Sequence, residues 1–522
     1  MHDQSIQADT ASHESSLKTR YVTKVISNVL VMAANVVMQS IIPRALGPAA
    51  YGNFNFVTSF FQQVIGFLNF NTSSTFYTKL SQRQHDRGLV TFYLQLLIFL
   101  GTVVVLVVVC GLLSGARQNI WPDQEAIFIA LGALWAFLSF CFGIFCEMSD
   151  AYGLTVKAEM AKLGLKLCGL ALIVAMYWME VISLGNFFAY QFLVLVVSIA
   201  VIIVIIRRNG HPFTIFQMPI KPQWQEYASE FLKFCLPLVV FTGVSTVQGL
   251  IERWFLQKYA GSAEQGFYGL AFQISSICFL FSSAMIPLLA REYSISFSKN
   301  DLQEMKRLFQ RFVPMLYAIT AYFGCFTAVE SENVMLLFGG KSYTGAVLPI
   351  AIMCFYPLHQ TYGQMNASLF FAAGRTAAYR NIGIAISLLR LPFTFFLVGP
   401  IQYGALQSGA VGLAIKMVVI QFLSTNLQLV YLSRLLKLHY CRLLWHQFVT
   451  VLLFSTTAVA ASRLTGALLH DSSPFWKFSL SGVVYSAGVA LLVFGMPSLC
   501  ALNREDIVRL ASAATTIVGR RS

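Results

Sequence analysis

An all-α membrane protein of about fourteen transmembrane helices is the fold the sequence predicts, arranged as two parallel six-helix lobes around a central cavity plus two C-terminal helices. Three observations predict it. The 522 residues are 57% hydrophobic and only 11% charged, where soluble chains are about 25% charged. Apolar stretches close to twenty residues long recur from end to end, and about twenty residues rising ~1.5 Å each cross a hydrocarbon core of ~30 Å. Most Lys and Arg residues fall on alternate loops, as orientation by positive charge requires.

Residues 1–23 are polar, with no apolar core before a small-residue cleavage site, and read as a cytoplasmic tail rather than a signal peptide. The N-lobe is expected over 24–231. Its spans are Lys24 to Ile42, Tyr51 to Tyr77, Leu89 to Leu113, Ala126 to Cys146, Gly164 to Ile182 and Leu184 to Ile206. The fifth is the weakest, with Lys162, Lys166 and Glu180 at its ends. Deleting it would invert every later loop and carry Arg291, Lys306, Arg307 and Arg311 outside. The C-lobe is expected over 232–442, with spans Leu232 to Leu256, Gly266 to Leu289, Phe312 to Val329, Ala346 to Phe371, Asn381 to Val398 and Ala410 to Leu432. Leu443 to Leu464 and Phe475 to Leu499 complete the count over 443–499, and 500–522 is a basic tail on the same side as the N-terminus.

The net charge of +14 is the charge bias of a membrane protein and implies no nucleic-acid partner. The ten cysteines lie among Leu, Phe and Val without CxxC pairing, so they are packing residues rather than disulfides or a metal site. External loops 114–125 and 330–345 are too short for a catalytic domain, which argues against an enzyme. In the loop from Arg291 to Arg311, Leu302, Met305, Leu308, Phe309 and Phe312 follow helical spacing, so a helix lying along the membrane surface is expected there. Gly340, Lys341 and Ser342 resemble a phosphate-binding loop superficially, but Met335 stands where that motif needs Gly.

An internal repeat is visible at an offset of about 214 residues. Gly47, Gly52 and Phe54 are matched by Gly261, Gly266 and Tyr268. Six helices separate the equivalent positions, so both copies enter the membrane in the same direction.

Polar residues inside spans are the candidates for function. Asn28, Asn35 and Gln39 share one face of the first span; Ser245, Gln248 and Glu252 share one of the seventh. Such faces either look onto water and substrate or hydrogen-bond between helices. Arg390 sits mid-span in the eleventh, Lys416 two turns inside the twelfth, and Arg44 and Arg253 mark the outer ends of the first and seventh. For Arg44 and Lys416 the alternative is snorkelling to the headgroups, and Arg253 has Glu252 beside it to pair with. A cavity lined by these cations suits an anionic substrate such as a pyrophosphate. Tyr356, His359, Gln360, Tyr362, Gln364 and Asn366 crowd the tenth span beside Pro357, either to meet sugar hydroxyls or to pack a kinked helix. Acidic residues within spans are Glu147, Asp150, Glu180 and Glu252, all near ends; Glu252 and Asp150 are the candidates for ion coupling.

The run Pro43, Arg44, Leu46, Gly47, Pro48, Tyr51, Gly52 and Phe54 resembles the first-loop signature of Wzx-type polysaccharide flippases, of the multidrug/oligosaccharidyl-lipid/polysaccharide (MOP) exporter superfamily. Glu252, Arg253, Trp254 and Phe255 ahead of Gly266 and Tyr268 resemble the opening of that family's second lobe, with Glu where Asp is common. Phe338, Gly339 and Tyr343 resemble its external segment before the tenth helix, and Gly374 and Arg375 the short loop after it. The resemblance implies alternating access and a polyprenyl-pyrophosphate-linked oligosaccharide as substrate, moved across a bacterial inner membrane for exopolysaccharide, capsule or O-antigen. It implies no cofactor, and membrane lipid, a glycan polymerase and export proteins as partners. A cation-coupled drug exporter on the same fold, which would want carboxylates deep in a lobe, and a membrane glycan polymerase or ligase are the alternatives.

Overall fold

A computed structural model describes residues 2–211, 221–469 and 472–501. Among them every regular element is helical. In chain order these are α1 (His2–Asn69), α2 (Thr72–Gln82), α3 (Arg87–Leu113), α4 (Arg117–Ile120), α5 (Ala126–Ala151), α6 (Thr155–Trp178), α7 (Leu184–Arg208), α8 (Lys221–Ala260) and α9 (Ser262–Cys278). There follow α10 (Leu280–Ser298), α11 (Leu302–Val329), α12 (Ser331–Phe338), α13 (Val347–Met353), α14 (Tyr356–Ala372), α15 (Thr376–Val398), α16 (Gly409–Leu435), α17 (Tyr440–Leu468) and α18 (Pro474–Gly495). Among the described residues, 9 of these helices are long and apolar enough to cross a bilayer unbroken. The other expected spans fall on α1, which carries two joined across a kink at Gly47, on α8, on α9 with α10, and on α13 with α14. The chain is a multi-pass membrane protein. The weak fifth span is present as α6.

The structure changes two expectations. Leu302 to Phe312 do not form a separate surface helix. They are the first turns of α11, capped by the Asp301 side chain, which accepts from Glu304 N at 2.8 Å. Met305 and Phe309 are fully buried in a core shared with α10, α14, α16 and α17, so the apolar stripe packs on protein rather than lipid. The second span is also not one helix. It breaks between α1 and α2, where Phe70 and Asn71 adopt φ of 43° and 62°.

The chain divides into two compact units, Met1–Gly266 and Phe267–Ser522. In the first, α1 packs on α5, α6 and α8. The repeat seen in the sequence has a physical basis here. Gly47 and Gly261 take positive φ, 74° and 86°, to turn the chain into the following helix. A Cβ on Gly52 would lie 1.8 Å from the Ser262 carbonyl oxygen, and one on Gly266 would lie 2.1 Å from that of Pro48. Each glycine therefore seats the other copy's helix start, and the two copies meet backbone to backbone as only glycine permits.

Where α2 meets α8, Glu230 accepts both Arg83 Nη2 contacts, at 2.6 and 2.7 Å, and pairs with Lys79 at 2.5 Å. Burial pushes its carboxyl up, but the hydrogen bonds from Lys79 and Arg83 outweigh that and hold it below the ordinary range. In the second unit, α11 packs on α10, α14 and α17, and α18 closes against α17 and α12. The segment from Glu330 to Ala346 is packed rather than loose: Glu330 accepts from Ser481 Oγ at 2.7 Å and Asn333 Nδ2 at 2.6 Å, and Tyr343 is fully buried.

Candidate functional sites

Within the second unit, α14 begins with Pro357 in its first turn, so span ten is interrupted before the proline rather than kinked by it. The interruption divides the polar run. His359, Tyr362 and Asn366 turn inward, while Gln360 and Gln364 stay half-buried. Inside, Thr425 on α16 donates to the His359 carbonyl at 3.1 Å and Asn366 Nδ2 donates to the Thr425 carbonyl at 3.1 Å. The hydroxyls of Ser282, Thr320 and Thr361 link α10, α11 and α14 at 3.0 to 3.1 Å. His359 meets the Phe422 ring edge-on at 5.0 Å. Its Nδ1 and the Asn366 Oδ1, Gln428 Oε1 and Gln447 Oε1 atoms are buried without a hydrogen-bond partner. Such atoms mark where water or a ligand completes a polar interior.

Lys416, on α16, is 0% exposed, with its ammonium 3.7 Å from Met417 Sδ. It does not snorkel to the headgroups, because protein covers it entirely. Arg390 is half-buried on α15, the helix packed against α16, so two cations occupy neighbouring spans. Placing a charge at the centre of a spanning helix costs roughly 2.5–3.5 kcal/mol on insertion scales.

In the first unit, Arg44 is exposed, as snorkelling predicts, and Asn35 and Gln39 are half-buried one turn apart on α1. The side chain of Asn28 lies outside the described residues. Gln248 and Glu252 are buried on α8. Arg253 Nη1 donates to Gln265 Oε1 at 3.2 Å, and Gln265 Nε2 returns to the Arg253 carbonyl at 2.5 Å, so these two side chains lock α8 to α9 across Gly261. Asp150 is half-buried at the end of α5.

One residue not singled out by the sequence reading stands out on the same helix. Glu147 lines a cavity of about 370 Å³ with Gln62, Gly66, Asn69, Ser73 and Ser139, and its Oε2 is buried without a partner. The signal that could have found it is the run Asn69, Phe70, Asn71, Thr72, since asparagine tolerates the left-handed conformation that ends a helix.

No protein-family model and no curated protein matches the chain. Solved structures do. The lipid II flippase MurJ in an inward closed conformation superposes with a TM-score of 0.62 over 91% of this chain and 98% of its own, at 12% identity. The fold is that of MOP-superfamily transporters. A multidrug-resistance MATE transporter of that superfamily, inward-facing, gives 0.59 over 79% of this chain and 94% of its own, at 14% identity. A Pyrococcus furiosus MOP transporter described for the reverse polarity of its binding pocket gives 0.54 over 81% and 95%, also at 14% identity.

Proposed function

We propose that this protein is a flippase that carries a polyprenyl-pyrophosphate-linked oligosaccharide from the inner to the outer leaflet of a bacterial inner membrane by alternating access, with both termini on the cytoplasmic side. The observation that carries the reading is the pair of cations, Arg390 and Lys416, on adjacent spans α15 and α16, which favours an anionic cargo over a cationic drug. The similarity to a lipid II flippase over 91% of the chain, against 79% for the MATE transporter, supports the same choice. Arg390 engages the pyrophosphate through paired guanidinium hydrogen bonds. Lys416, enclosed in this state, holds positive potential behind it. Arg253, committed to Gln265, serves the frame.

The experiment is the sidedness of lipid-linked glycan after depletion of the protein, read with an impermeant glycan-modifying reagent on intact and opened spheroplasts. Accumulation on the cytoplasmic face with loss of surface polymer is expected. Units that reach the outer face but stay unpolymerised would overturn the reading in favour of a polymerase.

A further inference from the structure

We propose that the cavity where α11, α17 and the turn Pro497–Cys500 meet, in the second unit, is a binding site for the headgroup of an anionic membrane phospholipid, a phosphodiester that carries free hydroxyls. Three features converge there, and none of the lining residues is among those assigned to the cargo.

The first is the lining. The cavity, of about 300 Å³, is walled by Gln310 from α11, by His439, Arg442 and His446 from α17, and by Ser498 from the turn. These side chains offer a fixed guanidinium charge, two imidazoles, an amide and a hydroxyl, and among the described residues no carboxylate lines the space. Phosphodiester oxygens accept charge-assisted hydrogen bonds from such a guanidinium. His439 is the N-cap of α17 and makes no side-chain bond to the first amides, so the positive end of the helix dipole adds to the same charge.

The second feature is His446. Its Nε2 donates to the Leu499 carbonyl at 2.8 Å, which ties α17 to the turn and, in the neutral ring, makes Nδ1 an acceptor. Nδ1 is buried without a partner. A phosphodiester alone has no proton to give this nitrogen, whereas a hydroxyl on the headgroup has one.

The third is what surrounds the cavity. Trp445, one turn on from Arg442, and Phe448 are exposed on α17, and Phe494 and Met496 are exposed just before the turn. Lys306 donates to the Lys437 carbonyl at 2.8 Å, which joins the start of α11 to the end of α16. Arg311, Arg434 and Lys437 are exposed on those helix ends. Exposed aromatic side chains beside exposed cations mark the level of the lipid headgroups. A polar cavity at that level, with apolar helix surface running on from it, fits an amphiphile whose head is anionic and whose chains stay in the bilayer.

The test uses the full chain, purified, delipidated and free of any glycan substrate, so it is blind to whether the cargo has been assigned correctly. Lipid retention by native mass spectrometry and the thermal midpoint are followed as phosphatidylglycerol is added. The comparison lipids are phosphatidylmethanol, which keeps the charge and lacks the hydroxyls, and phosphatidylcholine, which has no net charge. Phosphatidylglycerol is expected to be retained several-fold more tightly than either and to raise the midpoint by several degrees. Arg442→Gln replaces an exposed side chain, so its midpoint without lipid should match the native protein, while retention of phosphatidylglycerol falls several-fold. Arg463→Gln, exposed toward the other end of the same helix, should leave retention unchanged. Equal retention of phosphatidylglycerol and either comparison lipid overturns the proposal, as does an equal loss in both variants. A midpoint raised as far by glycerophosphoglycerol, the same head without acyl chains, would make the cavity a site for a soluble anion and overturn it too.

Discussion

Glu147 in the first unit and Glu330 in the second are acidic side chains at the ends of long helices, the first half-buried with its Oε2 shut away from solvent and the second buried entirely. Glu330, 3% exposed, has a donor on each oxygen, Ser481 on one and Asn333 on the other, and so ties α12 to α18. Glu147 has an oxygen with no partner and an open cavity in front of it. A buried carboxylate with a donor on each oxygen fastens the elements that supply those donors; one with an open oxygen fastens nothing by it. What separates the two is in part local, Asn333 three residues after Glu330, and in part distant, Ser481 on α18, which the chain near Glu330 does not reveal.

The largest effect is expected where neither carboxylate acts. Gly266→Val in the first unit puts side-chain atoms where the Pro48 carbonyl already stands, 2.1 Å from a Cβ. Backbone cannot yield as a side chain does, so loss well beyond the ~1–3 kcal/mol of ordinary overpacking is expected. It is read as absence of monodisperse protein after solubilisation. Monodisperse protein at wild-type yield would mean that the unit does not depend on this contact.

Next comes Glu330→Ala, which removes two hydrogen bonds to a charged acceptor and leaves Ser481 and Asn333 without it. At about 1.5–3 kcal/mol for each such bond, the thermal midpoint should fall markedly. Ser481→Ala should cost about half as much and add little once Glu330 is gone, because both act through one contact. Full additivity of the two substitutions would break the account of Glu330 as a fastening.

Glu147→Gln should do the opposite. It keeps the shape and removes a charge whose Oε2 has no partner, so the midpoint should stay or rise. A fall comparable to that of Glu330→Ala would put Glu147 in the same structural class and erase the contrast.

How much of this was legible in the sequence follows the same division. Span number and order depend on runs of apolar residues, a local property, and even the weak α6 could be retained from loop charges alone. The paired glycines were visible as a repeat, though not that Gly52 and Gly266 each seat the other's helix start. Apolar spacing around Met305 and Phe309 announced a helix but not what covers it, because lipid and protein select the same residues. Hydropathy averages across two residues and does not show the break at Phe70 and Asn71. Lys416 and Arg390 were found as charges in apolar runs, whereas full enclosure of Lys416 depends on neighbours that hydropathy does not reveal. Nothing in the sequence sets Glu147 apart from Asp150 and Glu252, because the cavity it lines is assembled from α1, α2 and α5.

The smallest effect concerns a third carboxylate, Glu230, which lies between the other two cases: partnered by Lys79 and Arg83, yet a quarter exposed. Water screens such a network, so Glu230→Gln should cost no more than about 1 kcal/mol at neutral pH. Its signature is pH dependence rather than size. Because the folded-state carboxyl is held below its ordinary value, the stabilisation is fully present above the unfolded value of about 4.3 and disappears as pH falls through the folded value. The gap in thermal midpoint between the native protein and Glu230→Gln should therefore be constant from neutral pH down to about 5 and close below about 4. It should also shrink with added salt. A gap that persists unchanged in acid would mean that Glu230 contributes by packing rather than by charge, and would move it toward the fastening role that Glu330 has in the second unit.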